Sequence, residues 1–196
     1  MRVIAGIAKG RRLKALRGLA TRPTADRVKE SLFGILGPRV IDASFLDLYA
    51  GTGSVGIEAL SRGARRAAFV DDSPQAIAVI RANLELVGFQ DRAEVYKNDA
   101  LRALKILGRR ACKFDIIFID PPYAMRVGGE VIGEVGRLGL LAICGTAVLE
   151  HSRYEKVPIE ISGLKIIRTE RFGDTMISFY KREDAGGGDS SLPGEL

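Results

Sequence analysis

Asp120, Pro121, Pro122 and Tyr123 follow the apolar run Ile116–Ile119 in the segment DIIFIDPPY. An acid and an aromatic ring are thereby fixed on a rigid elbow at the end of a buried strand. One chemistry needs such an arrangement. An exocyclic aromatic amine is a poor nucleophile, because its lone pair is delocalised into the ring. To attack a methyl group, the nitrogen must give up that conjugation while its hydrogens are held. Asp120 can accept one hydrogen bond, the Pro121 carbonyl another, and Tyr123 can stack on the base. Catalysis is then mostly positioning and charge placement. Asp120 need not be a strong base, since an N-methylated arylammonium is very acidic. A Pro-Pro pair that only ends a strand is the plain alternative.

A second constellation lies upstream. FLDLYAGTGSVGIEAL sets Gly51, Gly53 and Gly56 between a strand and a helix. Glycines let the backbone turn tightly and approach a ligand at the positive end of a helix. The next strand ends at Asp71, whose carboxylate can accept both hydroxyls of an adenosyl ribose. The pattern suits dinucleotide enzymes and S-adenosylmethionine enzymes alike, and a structural turn without ligand is the alternative. Asp47, just before the turn, could face a methionine amino group. A nicotinamide cofactor has no such group, so Asp47 leans the reading towards S-adenosylmethionine. In NDA (Asn98–Ala100), Asp99 can accept an adenine amine, but a plain helix cap competes. Ala50, in the turn, and Ala100, in NDA, are grouped with these cofactor-binding positions.

Other chemistries find little support. His151 is the only histidine and reads as structural or solvated. Cys112 and Cys144 have no CxxC partner and read as reduced core thiols. No metal constellation, nucleophile elbow or Ser/His/Asp set is found.

The elements that must position these residues follow an alternating pattern. Strands are expected at 45–49, 67–71, 93–97, 114–120 and 145–151, with helices near 54–62, 73–87, 99–107 and 129–138. Strand–helix alternation implies a parallel sheet covered on both faces. Ser73-Pro74 is a good helix start, with Ile77, Ile80, Leu84 and Val87 on one face. LKIIRTERFGDTMISFYKR reads instead as an antiparallel hairpin around Phe172-Gly173-Asp174, at the sheet edge. Upstream, RVIAGIAKGRRLKAL reads as a hairpin joined at Lys9-Gly10. RPTADRVKESLFGILGP reads as a helix capped by Thr24 or Asp26, with Val28, Leu32, Ile35 and Leu36 on its apolar face.

The 196 residues suit one compact domain with an appendage. The organisation expected is a basic extension over 1–40, a core domain over 41–182 and a flexible tail over 183–196. That tail holds four acids and no base. Net charge is +6, but residues 1–40 carry ten bases against two acids, and the remainder is net −2. A basic segment beside a near-neutral body suggests a polyanion partner at one end, with a solvated face as the alternative. Lys9, Arg11, Arg12, Lys14, Arg22 and Arg27 are the candidates for that contact. No apolar run reaches the length of a membrane span, and the N-terminus is too basic for a secretory signal, so a cytoplasmic protein without membrane contact is expected.

These residues together resemble the RsmD-type 16S rRNA (guanine-N2)-methyltransferases. The likeness runs from Arg2 to about Arg182, through RPTADRVKESLF, DLYAGTGSVGIEALSRGA, NDA, DPPY and RFGDTMISFYKR. It implies an α/β class I methyltransferase fold, Rossmann-like, with a seven-stranded, mostly parallel sheet and an antiparallel edge hairpin. It implies S-adenosyl-L-methionine as donor and a guanine of 16S rRNA as acceptor; the partner expected is that rRNA in the small subunit or its assembling particle, and the chain is expected to be a monomer. It puts Asp47, Gly51, Gly53, Asp71 and Asp99 around the cofactor, Thr24 reaching it from the arm, Arg22 and Arg27 towards RNA, and Asp120–Tyr123 at the base. Asp71 departs mildly from the glutamate more often expected there. The rivals are an adenine-N6 methyltransferase acting on DNA or RNA, a nicotinamide oxidoreductase, for which DPPY has no task, and a non-catalytic RNA-binding protein.

Overall fold

The computed structural model describes residues 1–16 and 23–183; Arg22, residues 184–196 of the tail, and the side chains of residues 23–25 and Tyr123 lie outside that description. Thr24 is therefore placed only by its backbone. Helix α1 (Pro23–Leu36) is followed by β1 (Ser44–Leu48), α2 (Ser54–Ser61), β2 (Arg66–Asp71), α3 (Pro74–Val87), β3 (Ala93–Lys97), α4 (Ala100–Arg109), β4 (Phe114–Ile119) and α5 (Gly128–Arg137). The chain then forms β5 (Leu141–Ser152), β6 (Glu160–Ile161), β7 (Leu164–Phe172) and β8 (Thr175–Arg182).

The strands form one sheet in the order β3-β2-β1-β4-β5-β8-β7-β6. β1 to β5 are parallel, and β8, β7 and β6 are joined antiparallel. β4 shows why the order holds. Ile116 and Phe118 enter one core with α1, α2 and α3, while Ile117 and Ile119 enter a second core with α4 and α5. A strand buried on both faces belongs in the middle of a sheet covered on both sides. The strand order reverses between β1 and β4, where open α/β sheets form their ligand crevice.

Local signals set most boundaries. Ser73 caps α3 by accepting from the Ala76 N–H at 3.3 Å, and Gly88 ends it at φ 74°. Val28, Leu32, Ile35 and Leu36 of α1 are buried, as the periodicity requires, and Phe33 joins them. Helix α1 begins at Pro23, so Thr24 and Asp26 lie in its first turn and neither precedes it as a cap.

Three expectations need correction. Among the described residues the sheet has eight strands, because Ser162 (φ 51°) and Gly163 (φ 75°) make a tight turn that folds β6 back on β7. β5 starts at Leu141, before the expected 145, and its register on β4 jumps from Phe114↔Leu141 to Ile116↔Thr146. That bulge turns Ile143 and Cys144 to solvent, so Cys144 is not a core thiol. Finally, the N-terminal hairpin turns over residues 4–9 and not at Lys9-Gly10. Its arms pair antiparallel through the bridge Arg2↔Arg12 and through the Val3, Gly10 and Leu13 N–H groups, which donate to the carbonyls of Arg11, Val3 and Met1, while the loop between them bonds to α2.

Those bonds weld the loop to α2. Buried Glu58 on α2 accepts from the N–H groups of Ile4 (2.8 Å) and Ala5 (3.0 Å), and pairs with Arg62 at 2.8 Å and Lys29 at 3.5 Å. Ser61 Oγ donates to the Ala5 carbonyl and accepts from the Ala8 N–H. The loop lies so flat that a Cβ on Gly6 would sit 1.8 Å from the Ser61 carbonyl oxygen. Among the described residues no helix is long and apolar enough to cross a membrane.

Candidate active site

The residues singled out by chemistry converge on the edge of the sheet where β1, β2 and β4 end. After β1, Tyr49 takes φ 62°, Gly51 φ 56° and Gly53 φ 74°, and α2 begins. The three glycines serve different ends. A Cβ on Gly51 would meet only the Tyr49 carbonyl, at 4.0 Å, so the turn is open there. Gly53 supplies the left-handed conformation. A Cβ on Gly56 would press to 2.3 Å from the Phe69 ring, so this glycine lets α2 lie close on β2.

Asp71 ends β2 and fastens the turn. Its Oδ2 accepts from the Gly51 N–H at 2.8 Å and its Oδ1 from the Ser73 N–H at 2.9 Å. Each oxygen keeps acceptor capacity for a further donor. Asp47 is 2% exposed and accepts from the Gly56 N–H at 2.9 Å. Burial pushes its carboxyl up to about 8; the Gly56 bond opposes the shift and the nearby Asp71 charge adds to it. Asp99 caps α4 by accepting from the Arg102 N–H at 3.0 Å, so the helix-cap reading holds for one of its oxygens. Ala50 donates its N–H to the Val70 carbonyl, and Ala100 opens α4, buried under it.

Asp120 follows β4 directly, its N–H pointing to the Leu48 carbonyl at 3.4 Å. Ile119 pairs with Leu149, so Asp120 and Glu150 stand side by side where the two parallel strands part. Burial holds the Asp120 carboxyl well above the ordinary carboxylate range, and the Glu150 and Asp47 charges push the same way. Pro121 is buried and Pro122 exposed, and the Met125 N–H donates to the Pro122 carbonyl, closing a helical turn over Tyr123–Met125.

Sequence reasoning missed three residues here. Glu150 sits beside Asp120, a neighbour that only the register of β4 with β5 reveals. Tyr49 packs under the glycine turn with its hydroxyl pushed up to about 12 by burial, with the charges of Asp99, Glu130 and Asp72 adding to it. Its positive φ carries no sequence signal. Asn83 on α3 accepts from the Lys14 N–H at 2.7 Å and donates to the carbonyls of Lys14 and Thr52, joining the N-terminal loop to the glycine turn. Lone asparagines in helices rarely announce such a task.

Lys9, Arg11, Arg12, Lys14 and Arg27 are exposed. Lys29 is not part of that surface: it is buried, donates to the Arg2 carbonyl at 2.9 Å and pairs with Glu58. His151 is buried against Ser178 Oγ at 2.9 Å, a structural position, and its imidazole is biased to the neutral form by burial. Among the described residues no group of three or more His, Cys, Asp or Glu could hold a metal ion.

Comparison with known proteins agrees with this geometry. The family model described as conserved hypothetical protein 95 matches residues 1–181. A Bacillus subtilis relative, a candidate rRNA methyltransferase named YlbH, is 42% identical over 93% of this chain and 99% of its own length. The Escherichia coli ribosomal RNA small subunit methyltransferase D is 30% identical over 97% of this chain and 94% of its own. The solved structure of yhhF from Escherichia coli, titled as a candidate methyltransferase, superposes with a TM-score of 0.81 at 31% identity, covering 93% of this chain and 98% of that one. The chain belongs to the RsmD-type methyltransferase family that the conserved hypothetical protein 95 model describes.

Proposed function

We propose that this protein transfers a methyl group from S-adenosyl-L-methionine to the exocyclic N2 amine of a guanine in 16S rRNA. The observation that carries the reading is the meeting, at one switch point, of an open glycine turn fastened by Asp71 and an acid-Pro-Pro-Tyr elbow that follows β4 and bonds back to β1. Full-length likeness to a small subunit rRNA methyltransferase supports 16S rRNA as the substrate class.

The donor set fits the cofactor. Gly51 leaves room for a ligand against the turn, Asp71 offers further acceptor capacity for ribose hydroxyls, and Asp99 stands near the adenine side after β3. Asp47, buried and reluctant to ionise, is stabilised by a cation such as a methionine ammonium. Ala50 and Ala100 line the same crevice, and Thr24 of α1 is proposed to close it from the arm. When bound, the cofactor supplies an electrophilic methyl on a sulfonium.

The chain's own residues do the rest. Asp120 and the Pro121 carbonyl accept the two amine hydrogens, which turns the nitrogen lone pair towards the methyl. Tyr123 holds the base plane, and Pro122 stiffens the elbow. A carboxylate that resists ionisation is a stronger base once ionised, so Asp120, beside Glu150, is suited to take the proton that the methylated amine sheds. The exposed bases Lys9, Arg11, Arg12, Lys14 and Arg27, with Arg22, supply the phosphate contacts.

The test is labelled-methyl transfer to small-subunit particles and to their rRNA from cells lacking this protein, followed by digestion to nucleosides. N2-methylguanosine is the expected product. N6-methyladenosine, or no labelled nucleoside, would overturn the reading.

A further inference from the structure

The motif RFGDT of the β7–β8 turn takes no part in the chemistry above, yet it lies at the same end of the sheet. β8 runs antiparallel to β5, so the turn between β7 and β8 stands beside the end of β5. β5 outruns β4: its last three residues, Glu150, His151 and Ser152, pair only with Ile177, Met176 and Thr175 of β8. This corner therefore rises past Asp120 on the side away from the glycine turn.

The tip of the corner is built. The Arg153 N–H donates to the Asp174 carbonyl at 2.9 Å and its Nε pairs with the Asp174 carboxylate at 3.0 Å. The Arg153 guanidinium lies 4.5 Å from the centre of the Tyr154 ring and donates to its hydroxyl. Arg171 is held by its Nε on the Gly173 carbonyl at 3.0 Å. Glu155 accepts from the Gly128 N–H at 3.0 Å, which ties this loop to the start of α5, directly after the acid-Pro-Pro-Tyr elbow. Tyr154 nevertheless remains 65% exposed. The rim carries Arg126, Arg153, Lys156 and Arg171 against Glu155 and Asp174, and both acids are engaged in fixing the loops.

We propose that this rim is a second RNA contact, facing the basic arm across the active site: Tyr154 stacks an unpaired base next to the target nucleotide, and Arg126, Lys156 and Arg171 take the flanking phosphates. A large aromatic ring left exposed but oriented by an arginine is a stacking platform, and its positive surroundings suit a polyanion. The geometry also suits the reaction, because a target base drawn from its stack leaves a neighbour needing a new partner. Tyr154 is thus a positioning residue, and the proposal rests on rRNA being the substrate.

The experiment compares wild type with Tyr154→Ala, Tyr154→Phe and Arg171→Glu in steady-state methyl transfer to small-subunit particles from cells lacking this protein, with donor affinity measured by calorimetry. Tyr154→Ala is expected to raise KM for particles about tenfold with kcat within about twofold, the pattern of a missing binding stack. Tyr154→Phe keeps the wild-type KM, Arg171→Glu raises it, and donor affinity is unchanged in all. An unchanged KM in Tyr154→Ala, or a Phe variant as weak as the Ala variant, would overturn the stacking role and leave the proposed function standing. Absence of transfer by the wild type would overturn both.

Discussion

Asp47, buried, and Asp120, half-buried, are carboxyls that resist ionisation, and this has consequences that can be measured. Asp47 moves from an ordinary 3.8 to about 8 on folding, so the folded state binds the proton more tightly than the unfolded state. Its contribution to stability is full below the unfolded value and is lost as pH rises through the folded one. Urea unfolding of the donor-free protein should therefore show stability declining between about pH 4 and pH 8, with a shallower decline in Asp47→Asn. A donor ammonium at Asp47 reverses its preference, so donor binding at neutral pH should release a proton, seen by calorimetry in buffers of different ionisation enthalpy. Asp47→Asn should reduce that release. Asp120→Ala should cut methyl transfer by at least about a hundredfold while leaving donor affinity near wild type. Asp47, Asp71 and Asp120 were legible in the sequence because each lies at or beside the C-terminal end of an apolar strand. Glu150 was not, because its place beside Asp120 depends on a register between strands that are distant in the chain.

At the scale of elements, α2 is the keystone. It carries Gly56 against Phe69, and Glu58 beneath the N-terminal loop, α1 and Arg62. Glu58→Ala would leave Lys29 buried without its partner and two loop N–H groups unmatched, a loss of about 3–5 kcal/mol in urea unfolding. Gly56→Ala forces the Phe69 ring aside and should cost about 1–3 kcal/mol, read in the same measurement. Alternation of apolar strands and amphipathic helices made the parallel half of the sheet legible, since those signals are local. The antiparallel pairing of the N-terminal hairpin was legible, but its wide loop was not, because the loop's partners, Glu58 and Ser61, are remote along the chain. A local pattern cannot report that its backbone will bond to a distant helix. The β5 bulge was hidden for a related reason: Ile143 and Cys144 look like core residues until the register with β4 is known.

Across the whole molecule, charge and topology agree. Exposed bases of residues 1–16 sit on a loop that Asn83 ties to the glycine turn, so the basic surface and the glycine turn share one scaffold. Reversing Arg11, Arg12 and Lys14 together should lower the salt slope of rRNA binding by about 2, because a phosphate that is no longer neutralised keeps its counterion. Donor affinity should stay near wild type. Unaltered salt dependence would return the arm to a merely solvated face. The charge asymmetry was visible in the sequence, but its attachment to the glycine turn was not, and Lys29, one of the ten bases, is buried in the Glu58 cluster.

The claim that joins these scales is that the elbow at Asp120 grips an exocyclic amine. Inosine is guanosine without that amine. Small-subunit particles reconstituted with inosine at the modified position should accept no methyl, while their guanosine counterparts are methylated. Transfer to the inosine form at a comparable rate would contradict the account.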